Sequence, residues 1–214
     1  MNEENKPTQK NGEPENVVSV WHGSGNEKFF RRRYFDGFTQ YETLDEHGKL
    51  ERHNVYTGVW YIQQLTKQQR NRRRIGYVIL WLAAVAALVF GVTRPVAANI
   101  RWYGGVPAFA GLYGLGWIAV GLFNEFTVPQ KRTIGDYRAS SLGIKRGGLL
   151  AILGSGLITV VSLIHVFLGV QIGAHILAAV AELLSLALSA AIRVLESKVV
   201  YEQKISEDAG KYTM

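Results

Sequence analysis

Residues 147–192 read GGLLAILGSGLITVVSLIHVFLGVQIGAHILAAVAELLSLALSAAI, 46 residues with a single charged side chain, Glu182, between Arg146 and Arg193. A helix needs about 20 apolar residues to cross a hydrocarbon core roughly 30 Å thick. The stretch is therefore two crossings, about 148–170 and 172–192, joined by a tight turn at Gly169-Val170-Gln171-Ile172-Gly173. Glu182 falls near the middle of the second of these crossings, where an ionisable group is costly and marks either a working site or a helix–helix contact.

Outward from this pair, two further crossings are predicted. Ile75–Thr93 is 19 uncharged residues, and Trp102–Phe123 is uncharged but glycine-rich, with Pro107 inside it. On the first, Ala83, Ala87 and Gly91 recur every four residues, and on the second Ala110 and Gly114 do the same, which allows close helix approach. The glycines of the second read as packing positions, with a kink at Pro107 as the alternative. The expected fold is an all-α integral membrane protein of four transmembrane helices with a small N-terminal cytoplasmic β-hairpin.

The polar first third divides again. Residues 1–28 are rich in Asn, Glu, Lys and Gly and read as a disordered tail. Its one apolar island, Val17–Trp21, is a short strand or a partner-binding peptide if it is not solvated with the rest. Residues 29–65 carry nine aromatic side chains. They read as two strands, Phe29–Leu44 and Leu50–Leu65, around the turn Asp45-Glu46-His47-Gly48-Lys49. Thr66-x-x-Gln69 is a capping box and starts a helix that runs through Arg70, Arg72, Arg73 and Arg74 into the first crossing. The domain reading is thus 1–28 tail, 29–65 hairpin, 66–205 transmembrane domain and 206–214 tail.

Of the 24 basic residues, four arginines lie in 70–74 and five basic residues in the loop 124–146. The loop 94–101 has two and the turn 169–174 none. The positive-inside rule then puts both termini in the cytoplasm of a multi-pass plasma (cytoplasmic) membrane protein, of the kind found in a bacterial inner membrane. Arg70, Arg72, Arg73 and Arg74 are the expected cytoplasmic anchor against the headgroups. No cleavable signal peptide is expected, since the first apolar run starts at Ile75.

The residues able to carry chemistry are few. On the fourth crossing His175, Ala178, Glu182, Ser185 and Ser189 share one helix face. Such a stripe must face protein or water, because lipid cannot satisfy it. His165 on the third crossing leans toward Glu182, so a direct or water-bridged Glu182–His165 pair is expected, and such a pair can carry or sense protons. His175 shares the face of Glu182 but lies roughly 10 Å along it, two helical turns away. The plain alternative is that the stripe holds helices together.

The chain has no cysteine, which excludes disulfides and thiolate chemistry. No H-E-x-x-H, G-x-S-x-G or Walker A sequence occurs. No catalytic residues, cofactor or metal site are expected. The net charge of +7 gathers beside apolar runs rather than in basic–aromatic modules, so nucleic acid is not an expected partner. The expected partners are the lipid bilayer and either a second copy or another membrane subunit. A non-enzymatic assembly or accessory subunit is the first functional expectation. A small transporter or channel component using Glu182, coupled to His165, is the second.

Overall fold

The computed structural model describes residues 17–22, 37–44 and 49–207. The parts of the tail reading at 1–16, 23–28 and 208–214, the strand start at 29–36 and the turn residues 45–48 lie outside these. The chain divides into two units, one built on the N-terminal strands with 133–135 and 203–214, the other on the helices.

In the first unit, strands β1 (Val17–His22), β2 (Phe38–Leu44) and β3 (Leu50–Tyr56) form an antiparallel sheet in that order. The expected hairpin is present as β2–β3, in register from Phe38↔Tyr56 to Leu44↔Leu50. Two details differ from the sequence reading. The island in the tail is a paired strand, its Val20 opposite Tyr41. The second hairpin strand stops at Tyr56, because the amides of Thr57 and Gly58 both turn back to the Gly37 carbonyl, at 2.8 and 2.9 Å. Gly37 has φ +86, and a Cβ there would meet the Tyr56 ring at 2.8 Å, so glycine is required twice over. Tyr56 is the centre of this unit. Its ring meets Phe38 and Trp60 edge-on, and its hydroxyl donates to the Val59 carbonyl and accepts from the Ile134 amide.

The chain resumes as β4 (Val59–Gln63), which lies between β5 (Lys131–Arg132) and β6 (Tyr201–Ile205) in a second small sheet. The last crossing, expected to about 192, continues as helix for five residues more. The last helix ends at Ser197, and the β-branched and aromatic run Val199-Val200-Tyr201 leads into β6.

The second unit holds four helices long and apolar enough to cross a membrane. They are α1 (Lys67–Val92), α3 (Trp102–Thr127), α5 (Gly143–Phe167) and α6 (Ile172–Ser197). Short α2 (Ala97–Ile100) precedes α3, and α4 (Ile134–Tyr137) enters α5 through a π-helical turn at Arg138–Leu142. The capping box forms as written: the Thr66 hydroxyl accepts from the Gln69 amide, and the Gln69 side chain accepts from the Thr66 amide. The α5–α6 turn uses Gly169 at φ +74 and Gln171 at φ +43.

Helix α3 packs on α5, α5 on α6, α6 on α1, and α1 on α3. The interior is small or polar and the exterior is large and apolar. Gly104, Gly111, Gly114 and Gly121 of α3 are buried, whereas Phe109 is 71% and Phe123 70% exposed. A Cβ on Gly114 would collide with the Ala151 backbone, and one on Gly154 with the Gly111 backbone. These four α3 glycines are thus packing positions, whereas a Cβ on Gly105 or Gly116 would meet nothing within 4 Å, and α3 runs through Pro107 as one helix. On α1 the small-residue stripe is displaced from the sequence reading. Ala83 is exposed, and the buried face is Tyr77, Ala84, Leu88 and Gly91. Two contacts set that rotation: Tyr77 donates to Glu196, and Gly91 lies against Glu182. At the chain ends of the bundle, the Gln64 amide donates to the Val200 carbonyl and the Gln64 side chain to Glu202. Entry and exit of the bundle therefore meet at one end, as an even number of antiparallel helices requires.

Candidate functional site

Polar groups inside the bundle fall into two layers. The first lies toward the α5–α6 turn. All five positions of the α6 stripe, His175, Ala178, Glu182, Ser185 and Ser189, are buried. They face Ser155, Thr159, Ser162 and His165, buried on α5. Ser162 donates to Glu182 Oε2 at 2.9 Å, and Ser155 and Ser185 hydroxyls stand 3.5 Å apart. Gly91 of α1 closes the other side of Glu182: a Cβ there would lie 2.9 Å from its Cγ.

The expected Glu182–His165 pair is replaced by Glu182–Ser162. Ser162 lies one helical turn before His165 on α5, at the depth of Glu182. His165 instead stacks on His175, with ring centroids 5.0 Å apart and planes at 8°. Its Nε2 stands 3.3 Å from the Tyr103 hydroxyl of α3. In both rings Nδ1 faces a backbone carbonyl four residues back, Val161 at 2.9 Å and Gln171 at 3.2 Å. A carbonyl only accepts, so both Nδ1 atoms carry hydrogen, and in the neutral rings both Nε2 atoms present a lone pair. His175 Nε2, Glu182 Oε1 and Ser189 Oγ are buried without a hydrogen-bond partner among the described residues. Among those residues no group of three His, Cys, Asp or Glu side chains is placed to hold a metal ion.

The second layer lies at the end where the bundle begins and finishes. Glu125, at the end of α3, is fully buried. Fully buried Arg132 grips both its oxygens, at 2.6 and 2.8 Å, and Arg73 adds a bond at 2.5 Å. Arg74 donates to the carbonyls of Glu125 and Val128. Glu196 of α6 accepts from the hydroxyls of Tyr77 at 3.1 Å and Tyr201 at 3.2 Å, with Arg73 at 3.8 Å. Burial and the Glu196 carboxylate push the Tyr201 hydroxyl up to about 12. Desolvation works against the Arg132 charge, but the two hydrogen bonds to Glu125 outweigh it and hold that guanidinium above its ordinary value.

The arginines assigned to the anchor therefore have different surroundings. Arg72 is exposed, Arg70 and Arg73 are half-buried, and Arg74 is buried. The inward turn of Arg73 and Arg74 follows from the two carboxylates beneath them. Neither Glu125 nor Glu196 is among the site residues expected from the sequence. A signal was there: Glu125 continues the seven-residue series Gly104, Gly111, Ile118, and Glu196 continues His175, Glu182, Ser189.

The chain matches no protein-family model, no curated protein and no solved structure. Its class rests on its own architecture, a four-helix bundle compatible with a polytopic membrane protein and carrying a polar seam.

Proposed function

We propose that this is a multi-pass protein of the plasma (cytoplasmic) membrane, both termini cytoplasmic, acting as a non-enzymatic assembly or accessory subunit. The observation that carries this reading is the inverted distribution of size and polarity in the bundle. Glycine backbones fill the α3–α5 contact, and the outer faces carry the large apolar side chains. A helix surface of this kind is stable in lipid or against another apolar helix. The basic segments 70–74 and 130–132 sit at the end where the bundle starts and finishes, which supports cytoplasmic termini. On the outer face of α3, Tyr113, Gly116, Trp117 and Val120 line an apolar cleft of about 270 Å³. A helix of a second copy or of another membrane subunit is the proposed occupant. A photo-crosslinker at Gly116, where a Cβ would meet nothing within 4 Å, tests this in native membranes. Crosslinks to a protein support the reading; crosslinks to lipid alone refute it.

A second reading, a small transporter or channel component working through Glu182, is favoured by one specific feature. Glu182 is fully buried, and its Oε1 has no hydrogen-bond partner among the described residues. Substitution Glu182→Gln separates the two. Assembly retained with solute flux lost selects the transporter, and assembly lost selects the subunit.

A further inference from the structure

We propose that Glu182 is a proton-exchanging carboxyl that communicates with the aqueous phase at the Leu168–Gln171 end of the bundle, through His175 and His165. This rests on the second reading above, that Glu182 is a working group, and names its ligand and its side of entry.

The ligand follows from the surroundings. Glu182 lies ten residues into α6, roughly 15 Å along the axis. Its one hydrogen-bond partner among the described residues is the Ser162 hydroxyl, and no arginine or lysine is bonded to it. Gly91 of α1 lies against its Cγ. A calcium ion takes about six to eight oxygen ligands, and the hydrogen bond of Glu182 among the described residues brings one hydroxyl to one carboxylate. A charged carboxylate buried without a counter-charge is strongly disfavoured. A proton is the one cation that removes the charge without a coordination shell.

The direction follows from where the acceptors lie. Tyr103, 37% exposed, reaches His165 Nε2. His165 stacks on His175, whose Nε2 has no hydrogen-bond partner among the described residues, and each ring directs an Nδ1–H to a backbone carbonyl. Asn99 of α2 spends its amide nitrogen on the carbonyls of Gly91 and Arg94, leaving buried Oδ1 as a further acceptor without a partner among the described residues, beside the residue that covers Glu182. His175 and Glu182 are two turns apart, about 10 Å, a span for relayed proton transfer rather than direct contact. In the other direction the seam runs through Ser185 and Ser189 into a buried apolar cluster of Leu88, Ile118, Ile144, Ile158 and Ile192. Beyond that cluster lie Tyr77 and Glu196, so the acceptors without a partner among the described residues that lie nearest an aqueous end are those on the Leu168–Gln171 side. The titratable groups facing this region are His175 on α6, His165 on α5 and Tyr103 on α3; α1 contributes Gly91 and no titratable side chain. Arg94, just beyond α1, lies over the Phe90 ring at 3.9 Å.

The test is infrared spectroscopy of the full chain in lipid, following the protonated carboxyl stretch after transfer to deuterated water. A band lost in Glu182→Gln and shifted by deuterium exchange is expected. His175→Phe should slow that exchange by about a hundredfold, the scale of one lost proton-transfer group. Should Glu182→Gln fail to fold, carbodiimide labelling of the unsubstituted chain gives the second measurement, since that reagent modifies the protonated carboxyl. Labelling of Glu182 that falls as the pH of the medium rises is expected. A Glu182 band that never exchanges, labelling indifferent to pH, or an exchange rate unchanged in His175→Phe overturns the proposal. Exchange without solute flux in vesicles keeps the proton site and removes the transporter reading. Flux without exchange removes the proton site and leaves transport to another ion.

Discussion

Substitution Glu125→Ala puts the basic end of the bundle to a quantitative test. Arg132 is fully buried and has both carboxylate oxygens of Glu125 as ligands, at 2.6 and 2.8 Å. Arg73, 12% exposed, loses its 2.5 Å bond and keeps Glu196 at 3.8 Å once Glu125 is gone. Removing one member of a buried ion pair costs about 3–5 kcal/mol, because the other charge is left in the interior. At about 1.4 kcal/mol per tenfold, the folded-to-unfolded ratio falls between about a hundredfold and a few thousandfold. For a chain of this size the apparent Tm drops by about 6–20 °C, at roughly 2–4 °C per kcal/mol. Arg132→Met should cost a similar amount for the mirrored reason. The double variant Glu125→Ala/Arg132→Met should then be less destabilised than the sum of the two, by about 2 kcal/mol. The assay is thermal unfolding of the purified protein in detergent, followed by circular dichroism for all four members of the cycle. Costs that add within about 0.5 kcal/mol mean that the two residues do not depend on each other, and the buried network is then wrong.

Gly114→Val drives side-chain atoms into the Ala151 and Gly147 backbones and should destabilise by about 1–3 kcal/mol or more, whereas Gly116→Ala, open on all sides, should gain up to about 1 kcal/mol in helix propensity; unfolding in detergent compares them. Thr66→Ala removes the hydroxyl arm of the capping box and should cost about 1 kcal/mol, read as faster hydrogen exchange at the Arg70–Arg72 amides. Tyr201 is held protonated up to about 12, above the ordinary tyrosine value near 10, so its stabilising contribution is full below about 10 and disappears as pH rises through about 12. Tyr201→Phe should flatten the fall in stability across that window, and an unchanged alkaline profile would count against the Glu196–Tyr201 contact.

The local features of the bundle were legible in the sequence because they depend on neighbours along one chain. The lengths of the uncharged runs mark four helices, Thr66 and Gln69 mark where α1 starts, and the seven-residue spacing of His175, Glu182 and Ser189 marks one buried face. Periodicity states that a face is buried, but not which atoms of which other helix meet it. Tertiary structure decided that Glu182 meets Ser162 and Gly91 rather than His165, and that the two histidines meet each other. It also turned Arg73 and Arg74 inward: a guanidinium next to an apolar run suits a headgroup collar equally well until a buried carboxylate from a helix 50 residues away arrives beneath it. Helix registry is set by such long-range contacts, here the glycine-to-backbone contact of α3 with α5 and the hold of Arg132 on Glu125, and these depend on depth and rotation that no single stretch of the chain encodes.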